Sequence, residues 1–141
     1  SDGDISGALM VTDDKYDVDI FLGIGGGPEG VLAASAIDAY NCKFQGRFIF
    51  DNEKDIKRAK LMGIEDLNKK YDLKEIIKGD SIFCATAITD CLPTRSNDKD
   101  VNALNGIIKD KNNIFLTETL VTHKSLNHKT IIKKKVIFDN A

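Results

Sequence analysis

With 141 residues and a net charge of −2, the chain has room for one domain and carries no charge excess that would draw it to nucleic acid or an anionic membrane. Apolar residues make up 42% and charged residues 30%, enough to build a core and too apolar for a disordered chain. No apolar run approaches the roughly 18 residues of a membrane-spanning helix and no leader-like segment opens the sequence, so a soluble, cytoplasmic chain is expected.

In chain order, Asp2 or Asp4 is placed to cap a short helix carrying Ile5, Ala8 and Leu9 on one face. Asp13 to Tyr16 reads as a turn, and Val18 to Leu22 as the first strong strand. A helix is expected from about Pro28 to Tyr40, rich in alanine and apolar nearly all round, hence buried on more than one side. Phe44 to Phe50 reads as a strand containing Arg47, whose commoner fate is a surface ion pair and whose sharper one is a phosphate contact. Asn52 caps a charged helix that stops at Gly63, and Asp66 to Lys78 is a weaker helical stretch.

Ser81 to Thr89 is a continuous apolar run with two threonines, expected as a buried central strand. Asp90 to Lys111 turns polar and long. Ile114 to Thr122 and Thr130 to Phe138 then form a hairpin around Ser125 to His128, with Lys133, Lys134 and Lys135 marking a solvated or edge strand. Cys42, Cys84 and Cys91 are odd in number and lack a C-x-x-C, which reads as reduced thiols. His123 and His128 have no matching thiol pair for zinc and read as surface residues near a strand end. The pattern implies a single α/β domain over residues 1–141, a mixed sheet flanked by helices.

Chemistry concentrates at Gly23-Ile24-Gly25-Gly26-Gly27-Pro28-Glu29-Gly30, between the strand of Val18 to Leu22 and the alanine-rich helix. Five glycines in eight residues permit close backbone approach to a ligand and positive φ. Pro28 suits a first helical position, and free amides at a helix start favour an anion. Glu29 is stabilised there by the helix dipole but would repel a phosphate unless a cation lies between them. Phosphate, carboxylate and bridging metal is therefore the leading reading. Gly25, Gly27 and Gly30, with Asp51 at the end of the next strand, also satisfy a dinucleotide-binding fingerprint, against which stand the amide lost at Pro28 and the charge of Glu29. A glycine-rich turn with no ligand is the bland alternative.

Asp2-Gly3-Asp4, the Gly23–Val31 stretch, Gln45-Gly46-Arg47, Ala85 to Asp90 and Thr117-Glu118-Thr119-Leu120 occur in this order. The series resembles the C-terminal part of class II fructose-1,6-bisphosphatases of the GlpX type, departing from it at Ala87 and Cys91. The resemblance implies the fold of the inositol monophosphatase-like sugar phosphatases. It implies hydrolysis of the 1-phosphate of fructose 1,6-bisphosphate to fructose 6-phosphate, in gluconeogenesis and glycerol metabolism, with Mn²⁺ or Mg²⁺. By motif it makes Glu29 a metal ligand and Asp2, Gly3, Asp4 and Gly26 substrate contacts, and gives no catalytic residue to this stretch. It also implies that the chain is part of a longer phosphatase whose N-terminal half carries the other metal-binding acids, a homo-oligomer when complete. An isolated chain without them is expected to be inactive. The readings left beside this one are a non-catalytic sugar-phosphate-binding or remnant domain, and a dinucleotide-binding domain.

Overall fold

The computed structural model describes residues 4–87, 108–109 and 114–137. Helix α1 (Asp4–Met10) is followed by a 3-10 turn at Asp14–Tyr16 and by α2 (Gly27–Asp38). Then come β1 (Gln45–Arg47), α3 (Glu53–Leu61), β2 (Lys70–Asp72), α4 (Leu73–Ile76) and β3 (Ile82–Thr86). A short β4 (Ile108–Lys109) precedes the long hairpin of β5 (Ile114–His123) and β6 (His128–Ile137).

The strands make two sheets, and every described pairing is antiparallel, where the sequence suggested one mixed sheet. In the small sheet β1 pairs with β2, Gly46 opposite Tyr71. In the larger one β5 is central. One edge of it takes β6 along its whole length, and the other takes β3 and β4. Within the Ser81–Thr89 run, Ile82–Thr86 thus forms a strand that is at the edge among the described residues and not a central one; Ile88 and Thr89 lie outside the described residues. Ile82 lies exposed on its open face while Phe83 is buried on the other. The polar stretch after it, and Cys91, fall largely outside the described residues.

Alternation along β5 decides which face is covered. Glu118, Leu120 and Thr122 are buried, and Ala85 and Ile131 sit beside Leu120 on the neighbouring strands. This face receives α1 and α2: Leu9, Ala36, Phe83, Ala87 and Leu120 form one core cluster. Helix α2 has a second packed side, where Ala33 and Ile37 meet Ala8 with Cys42, Phe44 and Leu73 around them. The expectation of a helix buried on more than one side is met, although Val31 and Leu32 remain exposed in its first turns.

Local signals explain the helix ends. Asn52 accepts the Asp55 amide at 3.0 Å to cap α3, whose exit passes through Gly63 at φ 86°. The stretch from Asp66 to Lys78 departs from the expected helix. It forms β2 and only one turn of α4, because Phe44 and Gln45 offer strand partners: the Leu73 amide bonds the Phe44 carbonyl at 3.2 Å, and Gln45 pairs with Asp72. Glu75 reaches back to the Asp72 amide at 3.0 Å and binds Lys69 at 2.8 Å.

Two clasps fix the β5–β6 turn. Asp38, at the last position of α2, is 3% exposed and opposes the negative end of the helix dipole. Lys124, the first turn residue, reaches this carboxylate and neutralises it. Replacing Lys124 with Met should cost about 2 kcal/mol in urea unfolding. That is below the roughly 3–5 kcal/mol of a fully buried pair, because the Lys124 side chain is 45% exposed. The double variant with Asp38→Asn should recover most of the loss. Equal instability of the single and double variants would show that the pair contributes nothing.

The second clasp joins Asp80, just ahead of β3, to the same turn. Its carboxylate accepts from the Ser125 hydroxyl and lies 2.5 Å from His123 Nε2, with the Ser125 amide 3.4 Å from its other oxygen. The Ser125 and His123 hydrogen bonds hold the Asp80 carboxyl below its usual range. A carboxyl depressed in the folded state stabilises above its unfolded pKa, and that contribution is lost as pH falls through the folded value. The stability difference between wild type and Asp80→Asn should therefore shrink as pH is lowered from about 6 towards 3, read from urea midpoints. A difference constant over that range would contradict this.

Candidate functional site

The approach to the glycine turn is not a strand. Asp17, at φ 53°, ends the 3-10 turn, and residues 18–26 then run without regular structure and without a β partner among the described residues. Phe21 is the anchor of this segment. Its ring lies against Gly7 of α1 so closely that a Cβ at Gly7 would collide with it. Ile20, Leu22 and Ile24 are 70%, 82% and 83% exposed.

Gly26 is the N-cap of α2, with φ −65° and ψ 157°, and its carbonyl accepts the first helical hydrogen bond from the Gly30 amide at 3.1 Å. Pro28 lies in the first turn, as its fixed φ favours. The amides of Gly27 and Glu29 then have no acceptor within the helix, the ordinary situation of a first turn. Among the described glycines only Gly63 has a positive φ, so left-handed freedom, expected for this turn, is not what its glycines provide. They provide space. A Cβ at Gly27 or Gly30 would meet nothing within 4 Å, and one at Gly26 would strike the Glu29 carboxylate. Glu29 is exposed and folds back over Gly26 at the positive end of α2.

Gly26 and Glu29 are thus brought together by three residues of helix. Asp2 and Gly3 lie outside the described residues, and Asp4 is the first residue of α1. Asp51 lies exposed after β1 and Arg47 exposed within it. The strand-to-helix context that a dinucleotide fingerprint needs is not formed among the described residues.

A metal implied by the resemblance finds one donor here. No group of three or more His, Cys, Asp or Glu able to hold a metal ion occurs among the described residues. The set present does not by itself fit a divalent ion, which takes about six oxygen donors. The Ser125–His123–Asp80 cluster is no nucleophile site either. The Ser125 hydroxyl, 3.0 Å away, and the Asp80 carboxylate both face His123 Nε2, so the ring cannot pass a proton between its two nitrogens.

Sequence reasoning did not single out Glu118. Its side chain is 2% exposed, on the core face of β5, where Lys133 of β6, directly opposite, approaches to 3.1 Å. The signal available was its place two residues before Leu120 in an alternating strand. Lys133 belongs to the lysine run expected on a solvated or edge strand, and β6 pairs only with β5 among the described residues. Cys42 and Cys84 are free thiols, and burial pushes the Cys42 thiol up from its ordinary pKa. No helix among the described residues is long and apolar enough to cross a membrane.

Comparison with known proteins decides the family. The family described as bacterial fructose-1,6-bisphosphatase, glpX-encoded, matches residues 1–135. The chain belongs to this family. Similar proteins include the D-fructose 1,6-bisphosphatase class 2/sedoheptulose 1,7-bisphosphatase of Trichodesmium erythraeum (strain IMS101), 37% identical over 102 residues, which covers 63% of this chain and 30% of the relative. Proteins of the same name from Prochlorococcus marinus (strain NATL1A) and Synechococcus sp. (strain JA-3-3Ab) are 34% and 36% identical over 106 and 103 residues. Those matches cover 65% and 64% of this chain and 32% and 30% of the relatives. The chain therefore spans about a third of the length of the curated relatives it matches.

Proposed function

We propose that this chain supplies one wall of the active site of a class II fructose-1,6-bisphosphatase with the inositol monophosphatase-like sugar-phosphatase fold. The observation that carries the reading is the joining, in a member of this family, of the free first-turn amides of α2 to an exposed carboxylate folded over Gly26. The amides of Gly27 and Glu29 offer hydrogen bonds and a positive dipole end to the oxygens of a phosphate monoester. The side-chain-free surfaces of Gly27 and Gly30 let that group come close to the backbone. Glu29 is the residue here that would hold Mn²⁺ or Mg²⁺, which when bound would neutralise phosphate charge and lower the pKa of a water. Asp2, Gly3, Asp4 and Gly26 are proposed as substrate contacts, with the 1-phosphate of fructose 1,6-bisphosphate as the group removed.

Glu29 is the one metal donor that the family resemblance assigns to this chain; with the remaining donors placed in the part of the family's polypeptide beyond the matched third, the chain alone would have little or no phosphatase activity. The test is Mn²⁺-dependent phosphate release from fructose 1,6-bisphosphate. It compares the isolated chain with a chimera in which the part of the Trichodesmium relative outside the matched stretch is joined to this chain in the relative's own order. Activity confined to the chimera supports the reading. Turnover by the isolated chain at an ordinary enzymatic rate contradicts the shared-site claim. A folded, silent chimera that still binds the bisphosphate moves the chain to a non-catalytic sugar-phosphate-binding role.

A further inference from the structure

The chain's two histidines stand on one rung of the larger sheet. His123 ends β5, His128 begins β6, and the register sets them directly opposite each other where the hairpin closes. Directly opposed residues of an antiparallel pair share a face, with Cβ atoms about 4.5–5.5 Å apart. That face is the one turned away from the helices. Thr122, next to His123, is buried on the covered side, successive side chains alternate, and Ile82, opposite His123 on β3, is exposed. The neighbouring lysines are drawn to the covered side: Lys124 reaches Asp38, and Lys129 lies over the Tyr40 ring at 4.9 Å. The tautomer of His123 is set by Asp80. The carboxylate lies 2.5 Å from Nε2 and can only accept, so Nε2 carries the proton and the neutral ring keeps its lone pair on Nδ1. Ser125 steadies the carboxylate through its hydroxyl and its amide. A ring that gives one N–H to a carboxylate and keeps the other nitrogen basic has the usual form of a metal-binding histidine.

We propose that His123, through Nδ1, and His128 bind one divalent late transition-metal ion of the Zn²⁺ kind as a clip across the mouth of the β5–β6 hairpin, with Asp80 behind the His123 ring and water in the remaining positions. Zn–N bonds of about 2.0–2.1 Å put two ligating nitrogens roughly 3 Å apart, within reach of rings carried on directly opposed Cβ atoms. His128 is exposed, so its ring turns to the ion without disturbing the core. Asp80 acts on the ring and not on the ion. The protein therefore gives two donors, in keeping with the absence of a three-residue metal group among the described residues, and the site is an exchangeable one. Imidazole suits Zn²⁺ and its neighbours, whereas Mg²⁺ and Mn²⁺ seek oxygens, so this rung and Glu29 select different ions. Bound there, the ion ties the start of β6 to the end of β5 and, through Asp80, to the chain just ahead of β3.

Zn²⁺ titration of this chain followed by NMR tests it, because with two histidines in the sequence the imidazole proton resonances report on this rung alone. Both rings should move together along one saturating curve. In His128→Gln the His123 resonances should stay still at the Zn²⁺ concentration that saturates the wild type, and melting without metal should be unchanged, since His128 is exposed. Asp80→Asn should weaken binding by about 10-fold or more, the usual effect of removing a carboxylate behind a ligating ring. Glu29→Gln should leave the curve where it is. Thermal unfolding gives a second readout: Zn²⁺ should raise the midpoint of the wild type and leave that of His128→Gln in place. Rings that respond at separate concentrations, or a His123 response that survives His128→Gln, overturn the proposal. Two rings that stay unmoved up to millimolar Zn²⁺ overturn it as well. A rise in the melting midpoint with both rings unmoved overturns it in favour of the free thiols, of which Cys84 is exposed.

Discussion

Glu29→Gln is expected to reduce metal-dependent phosphate release in a complete enzyme containing this chain by on the order of 10²–10³-fold, the scale on which loss of one preorganised charge-stabilising group is felt. The same substitution should leave the thermal unfolding of the isolated chain unchanged. The side chain is exposed, and the amide keeps its shape while losing the charge and one of the two oxygen donors, which weakens its hold on a divalent ion. Gly26→Ala is the companion variant. The backbone at Gly26, φ −65° and ψ 157°, suits any residue, so the fold should tolerate it. The new methyl would occupy the place of the Glu29 carboxylate and push it aside. Activity should fall by less than in Glu29→Gln, since the displaced carboxylate is the end of a flexible side chain. Phosphate release within a few-fold of wild type in Glu29→Gln would remove Glu29 from the site.

Phe83→Ala is expected to be the most destabilising single change. Phe83 is 5% exposed on the covered face of β3 and packs with Leu9, Ala36, Ala87 and Leu120, so it ties the edge strand to both helices and to the central strand. Truncation removes most of an aromatic side chain and leaves a cavity among these residues, a loss of about 3–5 kcal/mol. Small domains hold about 5–15 kcal/mol in all. The variant should therefore be substantially unfolded near ambient temperature or melt far below wild type, while Phe83→Leu keeps most of the stability. Urea unfolding of the three proteins measures this, and a loss under about 1 kcal/mol would mean that β3 is not anchored through this ring.

Where neighbours in sequence decide the structure, the sequence was enough. Asn52 and Gly63 bound α3, and Pro28 lies in the first turn of α2 as expected. The apolar stripe of α1 buries Ala8 and Leu9, and the polar turn between the two alternating runs makes the β5–β6 hairpin. Where distant partners decide, it was not. Residues 18–22 have the composition of a strand, yet a strand exists only through its pair, and none is present among the described residues. Ser81 to Thr89 is largely apolar, as a central strand would be, but sheet order depends on the hairpin that lands on one side of β3. Lys70 to Asp72 has weak helical tendency and pairs because β1 lies beside it. At the candidate site the juxtaposition of Gly26 and Glu29 follows from their spacing. The conformation of the glycines does not, because close approach and positive φ leave the same mark on composition.

The pairing of β5 also bears on how the chain reaches its structure. The β5–β6 hairpin closes a turn of four residues and pairs ten positions, from Ile114 with Ile137 to His123 with His128. Joining β3 to β5 closes a far longer loop: Thr86 and Thr119, whose hydroxyls meet at 2.9 Å, are 33 residues apart. Short loops close at little entropic cost, and long ones repay it only once other contacts are in place. We infer that the hairpin forms first and serves as the template on which β3, carrying Phe83, is captured together with α2. Conservative substitutions within the hairpin should then slow refolding, whereas Phe83 variants should chiefly speed unfolding. Stopped-flow kinetics with φ-values near zero in the hairpin would reverse that order.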